Sequence, residues 1–302
     1  MARLRTWYRE FRSSLKPLVM EEIFDLLLCR PLAFIIAKPL SLTRVTPDHV
    51  SLFALFWAFV VAYFYWQGDY RSVVIGAMAY LFWNILDCVD GQLARMTKKS
   101  SPVGYVLDQA VDWFSAVLTF VGLTHAVVAR HPGEPWWWAV GIAAMVAMGW
   151  ECGVLEQRRH EWMERVYGSR KTIAEDLKKL DGLAAEWRAE GSHPLWRLVV
   201  RYYHFQRWLQ RWSGQSAGVD ETPTHTDEEN RRYAKYHKKA LRLAVWLGPT
   251  THMMVTIVCS LLDRVELYFY LVFAVGLPLA FLVQILSAVA RRQERLATSE
   301  AS

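Results

Sequence analysis

The chain has 302 residues, of which 53% are hydrophobic, and its net charge is +6. This length and composition favour one multi-helix membrane domain with an appended polar segment, in which a basic excess indicates topology and lipid headgroups rather than nucleic acid. The four cysteines, Cys29, Cys88, Cys152 and Cys259, form no CxxC pair, so neither a disulfide framework nor a zinc site is expected. The basic start leads into no short apolar core with a cleavage site, so no signal peptide is predicted.

Residues 1–47 are expected to form one or two amphipathic helices at the membrane surface. Basic residues alternate there with aromatic and aliphatic ones, and Pro17, Pro31 and Pro39 interrupt the segment. A membrane span needs about 20 mostly uncharged residues, which this segment does not offer.

The next part of the chain predicts membrane-spanning helices. Thr46 and Pro47 mark a helix start, with the threonine as N-cap and the proline in the first turn. Six apolar stretches then suit membrane spans, at residues 49–67, 72–87, 104–128, 136–155, 243–262 and 266–288. The second is short and is expected to end at two aspartates, as a helix opening into a polar cavity would. The predicted fold is an all-α, polytopic membrane protein with six transmembrane helices.

The predicted organisation has five parts. They are a juxtamembrane segment at 1–47, spans 1 to 4 at 48–155, a helical cytoplasmic insert at 156–242, spans 5 and 6 at 243–290, and a cytoplasmic tail at 291–302. In the insert, residues 170–190 and 227–242 are expected to form charged helices. Aromatic and basic residues at helical spacing over 195–212 predict a helix that lies on anionic lipid or packs on its own domain.

The positions of lysine and arginine predict the orientation in the membrane. Of the 35 such residues, all except Arg71, Arg130 and Arg264 fall in the N-terminal segment, the 88–103 loop, the insert and the tail. The positive-inside rule therefore places these segments and both termini in the cytoplasm. The site described next is expected on the same side.

Four carboxylates lie where the second and third predicted spans end and begin: Asp87, Asp90, Asp108 and Asp112. Moving a carboxylate toward hydrocarbon costs about 2.5 to 3.5 kcal/mol, so acids at this depth are functional candidates that need partners. Residues three or four apart share a helix face, so two crossing helices would bring all four side chains together. Oxygen ligands in this number suit Mg²⁺, Mn²⁺ or Ca²⁺.

Neighbouring residues suit the binding of a phosphate. Gly91, Ala94 and Gly104 leave room for a ligand, and Arg95 adds a cation. The stretch resembles the CDP-alcohol phosphotransferase, or phosphatidyltransferase, family, whose signature is D-x-x-D-G-x-x-A-R, about eight residues, then G-x-x-x-D-x-x-x-D. Every fixed position of that signature is filled, by Asp87, Asp90, Gly91, Ala94, Arg95, Gly104, Asp108 and Asp112.

The resemblance implies an integral membrane enzyme in which an alcohol displaces CMP from a CDP-linked donor. It implies two Mg²⁺ or Mn²⁺ ions per site on the four aspartates, with Ca²⁺ as a non-productive substitute, and Asp112 as general base. The implied CDP-binding residues are Asp87, Asp90, Gly91, Ala94, Arg95, Gly104 and Asp108. Family members are commonly homodimers, and small residues over 139–149 would permit close helix contact between subunits or within one.

Two donor types and a non-catalytic alternative remain open. In the first, CDP-diacylglycerol gives its phosphatidyl group to a small alcohol in phospholipid synthesis, and the six spans and surface helix favour this reading. In the second, a CDP-polar-alcohol of choline, ethanolamine or inositol type gives its phospho-alcohol to a lipid or polar alcohol. The non-catalytic alternative is a membrane protein that binds nucleotide or lipid, against which the complete aspartate set argues.

Polar residues inside the predicted spans fall near the depth of the aspartates. They are Asn84, Glu151, His252 and Gln284. Each is expected either to line a pocket for the acceptor alcohol or to make an interhelical hydrogen bond, worth about 1 kcal/mol in membranes. The hydrogen bond is favoured for Asn84 and Gln284, and neither role is favoured for Glu151 and His252, which are costlier to bury.

Overall fold

The computed structural model describes residues 2–98, 102–167 and 226–299, and all the regular structure in these ranges is helical. The α-helices are α1 (Ala2–Ser13), α2 (Arg30–Leu40), α3 (Pro47–Gln67), α4 (Tyr70–Thr97), α5 (Pro102–Arg130), α6 (Trp137–Tyr167), α7 (Asp227–Ala244), α8 (Pro249–Leu261), α9 (Val265–Leu271) and α10 (Leu277–Ser299). Six helical segments in this part of the chain are long and apolar enough to cross a membrane. The predicted all-α fold with six candidate spans is confirmed.

The second span is longer than its apolar run predicts. Helix α4 continues to Thr97, ten residues beyond Asp87, and ends where Lys98 adopts a left-handed conformation with φ of 55°. The added turns have a buried side of their own, because Asp90, Gln92 and Leu93 face the protein interior. The expectation that this helix ends at the aspartates is therefore wrong, since buried residues, polar and apolar, continue beyond Asp87 as far as Leu93.

The fourth span also continues, and the predicted helix before the fifth span is present. Helix α6 runs to Tyr167, and α7 begins after Thr226, whose hydroxyl and Glu229 form a reciprocal capping box. Helix α7 packs against α6 and α10. The remainder of the predicted insert, including the expected helices at 170–190 and 195–212, lies outside the described residues. The division of the chain into five parts stays a prediction.

Both C-terminal spans are interrupted. A short 3₁₀ segment, Val245–Leu247, separates α7 from α8, and Gly248 and Pro249 start α8 as N-cap and first residue. A π-helical turn, Val272–Gly276, joins α9 to α10. Such turns widen a helix locally and often occur at functional sites.

The N-terminal segment packs into the bundle more closely than its sequence suggests. Helix α2 lies against α4 and buries Ala33, Phe34 and Ala37. Two of the three prolines do not interrupt a helix, because Pro31 lies in the first turn of α2 and Pro39 in its last. A π-helical turn, Asp25–Cys29, leads directly into α2, so the helical backbone is continuous through Pro31. The position of these helices at a membrane surface stays a prediction.

The small residues of α6 divide between two faces. A Cβ atom on Gly141 would lie 2.1 Å from the Thr124 hydroxyl oxygen of α5, so this glycine permits close packing inside the chain. Ala144 and Ala147 are buried on the same side, whereas a Cβ on Gly149 would meet open space. Packing within one subunit thus accounts for part of this pattern, and the homodimer stays a prediction.

Candidate active site

Helices α4 and α5 bring the predicted aspartates together. Carboxylate oxygens of Asp87, Asp90 and Asp108 all lie within 4.8 Å of one another. Asp112 lies beside Asp87, one turn beyond Asp108 on α5. Asp87, Asp108 and Asp112 are half-buried and Asp90 is 6% exposed, so the cluster lies in the interior but is accessible to a small ligand.

The geometry of this cluster fits a divalent cation. Ligands on opposite sides of an octahedral Mg²⁺ lie about 4.2 Å apart, and those of Ca²⁺ lie about 5 Å apart. The three carboxylates match this spacing, and all donors in the group are hard oxygens. Like charges this close repel each other strongly unless a cation lies between them. Asp87, Asp90 and Asp108 are therefore the residues best placed to hold such an ion, with Asp112 next to them.

A third element, the start of α3, completes the surroundings of the aspartates. Thr46 and Pro47 occupy the predicted N-cap and first positions, and His49 closes the cap by accepting from the Thr46 amide at 3.2 Å. The Ser51 hydroxyl donates a hydrogen bond of 2.8 Å to Asp90 Oδ2 and is buried. Ser51 was not predicted to lie near the aspartates, although its position one turn after the N-cap could have indicated such a contact.

The residues before α2 form a second shell of polar contacts. Asp25 is buried, and its Oδ1 accepts hydrogen bonds from Asn84 Nδ2 at 3.3 Å and from the Cys88 thiol at 3.7 Å. The buried Arg30 joins this shell through its backbone, because its carbonyl oxygen accepts a hydrogen bond from Gln92 Nε2 of α4 at 3.1 Å. Asn84 therefore makes the interhelical hydrogen bond that was the alternative to a pocket role. No sequence pattern singled out Asp25 or Arg30.

Arg95 reaches back toward the N-terminal segment. Its Nε donates to the Ser14 carbonyl oxygen, and its buried Nη2 has no hydrogen-bond partner among the described residues. A Cβ on Gly91 would lie 3.4 Å from Arg95 Nη1, so the glycine lets the guanidinium pack closely against α4. Ala94 is half-buried on the same helix, and Gly104 lies in the first turn of α5. Arg95 thus has donor capacity left for an anion.

Two buried glutamates, Glu21 and Glu22, hold the N-terminal segment in place through polar contacts. Burial raises the pKa of Glu21, but the Arg30 guanidinium at 3.3 Å and the Lys16 amide at 2.9 Å outweigh it, so the pKa lies below its usual value. Glu22 accepts from the Thr251 amide at 3.0 Å and lies 3.5 Å from Arg159. Burial raises the pKa of Glu22 to about 7, against the opposing charge of Arg159.

Glu151 and His252, from two different spans, form a buried pair. Glu151 Oε2 lies 3.1 Å from His252 Nε2, and the glutamate side chain is fully buried. The angle does not suit a hydrogen bond, so both Glu151 oxygens lack a hydrogen-bond partner among the described residues. The Tyr268 hydroxyl lies 3.4 Å from His252 Nδ1, and Gly276 of the π-helical turn leaves space for the glutamate. Gln284 is half-buried on α10.

A bundle of membrane-competent helices with four converging carboxylates defines a multi-pass integral membrane protein with a candidate divalent-metal centre. Residues 44–175 match the model of the CDP-alcohol phosphatidyltransferase family, in agreement with the resemblance of the aspartate motif. This match spans 132 of the 302 residues and includes all eight positions of the aspartate motif, so the chain is similar to the family over this stretch.

Two curated relatives are similar over shorter segments. Cholinephosphotransferase 1 of Gallus gallus is 34% identical over 71 residues, covering 24% of this chain and 21% of that protein. Cholinephosphotransferase 1 of Rattus norvegicus is 29% identical over 97 residues, covering 29% of this chain and 24% of that protein. The similarity thus extends over about a quarter of the length of either relative.

Proposed function

We propose that this protein is a divalent-metal-dependent CDP-alcohol phosphotransferase, which transfers a substituted phosphate group from a CDP-linked donor to an alcohol and releases CMP. The observation that carries this proposal is the convergence of Asp87, Asp90 and Asp108, with Asp112 beside them, in one accessible cluster. These are the four aspartates of the family motif. A non-catalytic nucleotide-binding or lipid-binding protein would have no need of the complete set.

The aspartates would hold two Mg²⁺ or Mn²⁺ ions, with Ca²⁺ as a non-productive substitute. Such ions, when bound, neutralise the diphosphate and stabilise the leaving CMP. Ser51 holds one oxygen of Asp90 in place through its hydrogen bond. This contact keeps the Asp90 carboxylate oriented toward the site.

Asp112 is the fourth aspartate of the signature, so it takes the role of general base that the family resemblance implies, and it lies beside the ligand cluster on α5. The acceptor hydroxyl gives its proton to Asp112 while its oxygen bonds to phosphorus, and the bond from phosphorus to the CMP oxygen breaks with its electron pair leaving on CMP. A carboxylate is a weak base for a free alcohol, so proton transfer must accompany bond formation. Gly91, Ala94, Arg95 and Gly104 provide the space and the cation for cytidine and its phosphates.

The number of spans and the names of the two relatives favour different donor types. The compact six-span arrangement favours CDP-diacylglycerol as donor and a small alcohol as acceptor. Both relatives carry the name cholinephosphotransferase, which favours the second type, a CDP-polar-alcohol donor with a lipid alcohol acceptor. We give the second type more weight, because the similarity to these relatives is a property of the sequence itself, whereas span number is shared by many membrane proteins.

The distribution of lysine and arginine supports a cytoplasmic site. The chain order of the spans would put Asp87, Asp90 and Asp108 at the same end of the bundle as the basic N-terminal segment and the charged helix α7, which packs against α6 and α10. The acceptor alcohol is expected to approach near Glu151 and His252, the two candidate pocket residues that the fold brings together. Gln284 keeps this role as a prediction, and a homodimer is proposed from family likeness.

The release of CMP from a panel of CDP donors, with Mg²⁺ or Mn²⁺, tests the proposal. Release that depends on one donor, one acceptor and the metal supports it, and identifies the donor type. The Asp112→Asn variant should bind donor about as well as the native protein and lose at least about 10³-fold in turnover, whereas Asp90→Ala should lose metal-dependent CDP binding in calorimetry. Normal turnover of Asp112→Asn would refute the base assignment, and binding without release from any donor would favour the non-catalytic alternative.

A further inference from the structure

The segment between α1 and α2 is held against three helices of the bundle by buried polar contacts. The Ser14 carbonyl accepts from Arg95 of α4, and the Met20 carbonyl accepts from Arg159 Nε of α6 at 3.0 Å. Glu22 accepts from the amide of Thr251 on α8 at 3.0 Å. Buried polar groups with such partners fix the backbone closely, so this segment is a wall of the candidate site.

Lys16 occupies a defined position in this wall. Its backbone amide donates to Glu21 Oε1 at 2.9 Å, and Glu21 in turn pairs with Arg30. Lys16 follows Ser14 by two residues, and Ser14 binds Arg95 of the family motif. The lysine side chain is therefore anchored at its base, next to the guanidinium that is expected to bind phosphate.

The Lys16 ammonium interacts electrostatically with several acids but forms an ion pair with none of them. Its charge reaches Asp87 and Asp108 of the cluster, and also Glu21 and Glu156. Within residues 2–98, 102–167 and 226–299, no ion pair joins Lys16 to a carboxylate, and its side chain is exposed. An exposed lysine that faces an acidic cluster without pairing is free to bind an anion that the cluster holds through metal ions.

Charge balance indicates which anion this is. The charges of four aspartates and two divalent cations cancel, so the diphosphate of a CDP-linked donor brings negative charge that the metal centre alone does not offset. Arg95 supplies one cation, with a buried nitrogen that has no partner in the described part of the chain. Lys16 supplies a second cation in the N-terminal segment, two residues after the Ser14 carbonyl that binds Arg95.

We propose that Lys16 is a donor-binding residue, whose ammonium contacts the diphosphate of the CDP-linked donor from the side of the N-terminal segment. This rests on the proposed function. The contact is a charge-assisted hydrogen bond at a partly hydrated position, so it contributes to donor affinity and little to the chemical step. A phosphate on the acceptor would offer the same chemistry, and the kinetic measurements below separate the two sources.

The test measures CDP binding and turnover in the full-length protein. Lys16→Ala and Lys16→Gln should weaken Mg²⁺-dependent CDP binding in calorimetry about tenfold and raise the donor KM by a similar factor, with acceptor KM and kcat within about twofold of the native values. Lys16→Arg should retain most of the affinity. Arg12→Ala removes an exposed charge from the end of α1 and serves as the matched control, with unchanged CDP binding expected.

Three results would overturn the assignment. They are CDP affinity within twofold of native in both Lys16 variants, a change confined to the acceptor KM, and an equal loss in Arg12→Ala. Lys16 is exposed, so both variants should fold, and a melting curve in detergent verifies this. Calorimetry needs no turnover, so it distinguishes failure of this inference from failure of the proposed reaction, which would appear as CDP binding by the native protein without CMP release.

Discussion

Replacing Ser51 by alanine should weaken the metal centre without unfolding the protein. The Ser51 hydroxyl donates to Asp90 Oδ2 at 2.8 Å, and both residues are buried, at 4% and 6% exposure. A hydrogen bond to a charged group contributes about 1.5 to 3 kcal/mol, which corresponds to roughly 10- to 150-fold in an equilibrium constant. Without it, the Asp90 carboxylate is less well oriented toward the ion, so the ion binds less tightly.

Two assays measure this effect. Calorimetric titration with Mn²⁺ should show at least about tenfold weaker binding to Ser51→Ala, and the Mg²⁺ concentration for half-maximal CMP release should rise by a similar factor, with near-native turnover at saturating metal. Ser287→Ala is the control, since that buried hydroxyl donates to the Val283 carbonyl of its own helix and to no other group among the described residues. Metal binding within twofold of native in Ser51→Ala would show that Asp90 needs no support from α3.

Two further predictions concern stability. Gly141→Ala should lower the melting temperature in detergent, because the new Cβ would clash with the Thr124 hydroxyl. Such overpacking typically costs about 1 to 3 kcal/mol. The control is Gly149→Ala, whose Cβ meets open space and which should melt at the native temperature. Equal melting of the two would contradict the packing of α5 on α6. The pKa of Glu22 is raised to about 7, because the charged carboxylate is costly to bury. Its contribution to stability is therefore complete below pH 4.5 and is lost as the pH rises through 7. Glu22→Gln cannot ionise, so in this variant the melting temperature should fall less between pH 5 and pH 7.5. An unchanged slope in that variant would contradict the burial of this carboxyl beside Arg159.

The spans and the aspartate motif could be predicted because each depends on local pattern. Hydrophobic length gives a membrane span directly, and spacing of three or four residues places Asp87 with Asp90 and Asp108 with Asp112 on common helix faces. The crossing of α4 and α5 then follows from the cost of unpaired acids. The end of α4 was not predictable in this way, because its buried residues continue to Leu93, beyond the unbroken apolar run that marks the span.

The surroundings of the aspartates could not be predicted, because they come from distant parts of the chain. Ser51 reaches Asp90 across 39 residues, and Asn84 reaches Asp25 across 59. Arg30 and Lys16 lie in a segment whose sequence indicates a surface helix, and only tertiary packing turns its polar residues inward. A single sequence carries no signal that distinguishes such a residue from an ordinary basic residue at a membrane surface.

The bond between Glu22 and the start of α8 has a consequence for biosynthesis. Its partners are 229 residues apart, so the glutamate leaves the ribosome long before Thr251 exists. At about 5 to 20 residues per second, this interval lasts roughly 10 to 45 seconds. During that time the N-terminal segment lacks its hydrogen bond to α8, and it reaches its final position only after the fifth span has been synthesised. In a nascent chain that stops short of α8, the N-terminal segment beside the aspartates lacks its bond to Thr251. The site is therefore completed late in membrane insertion.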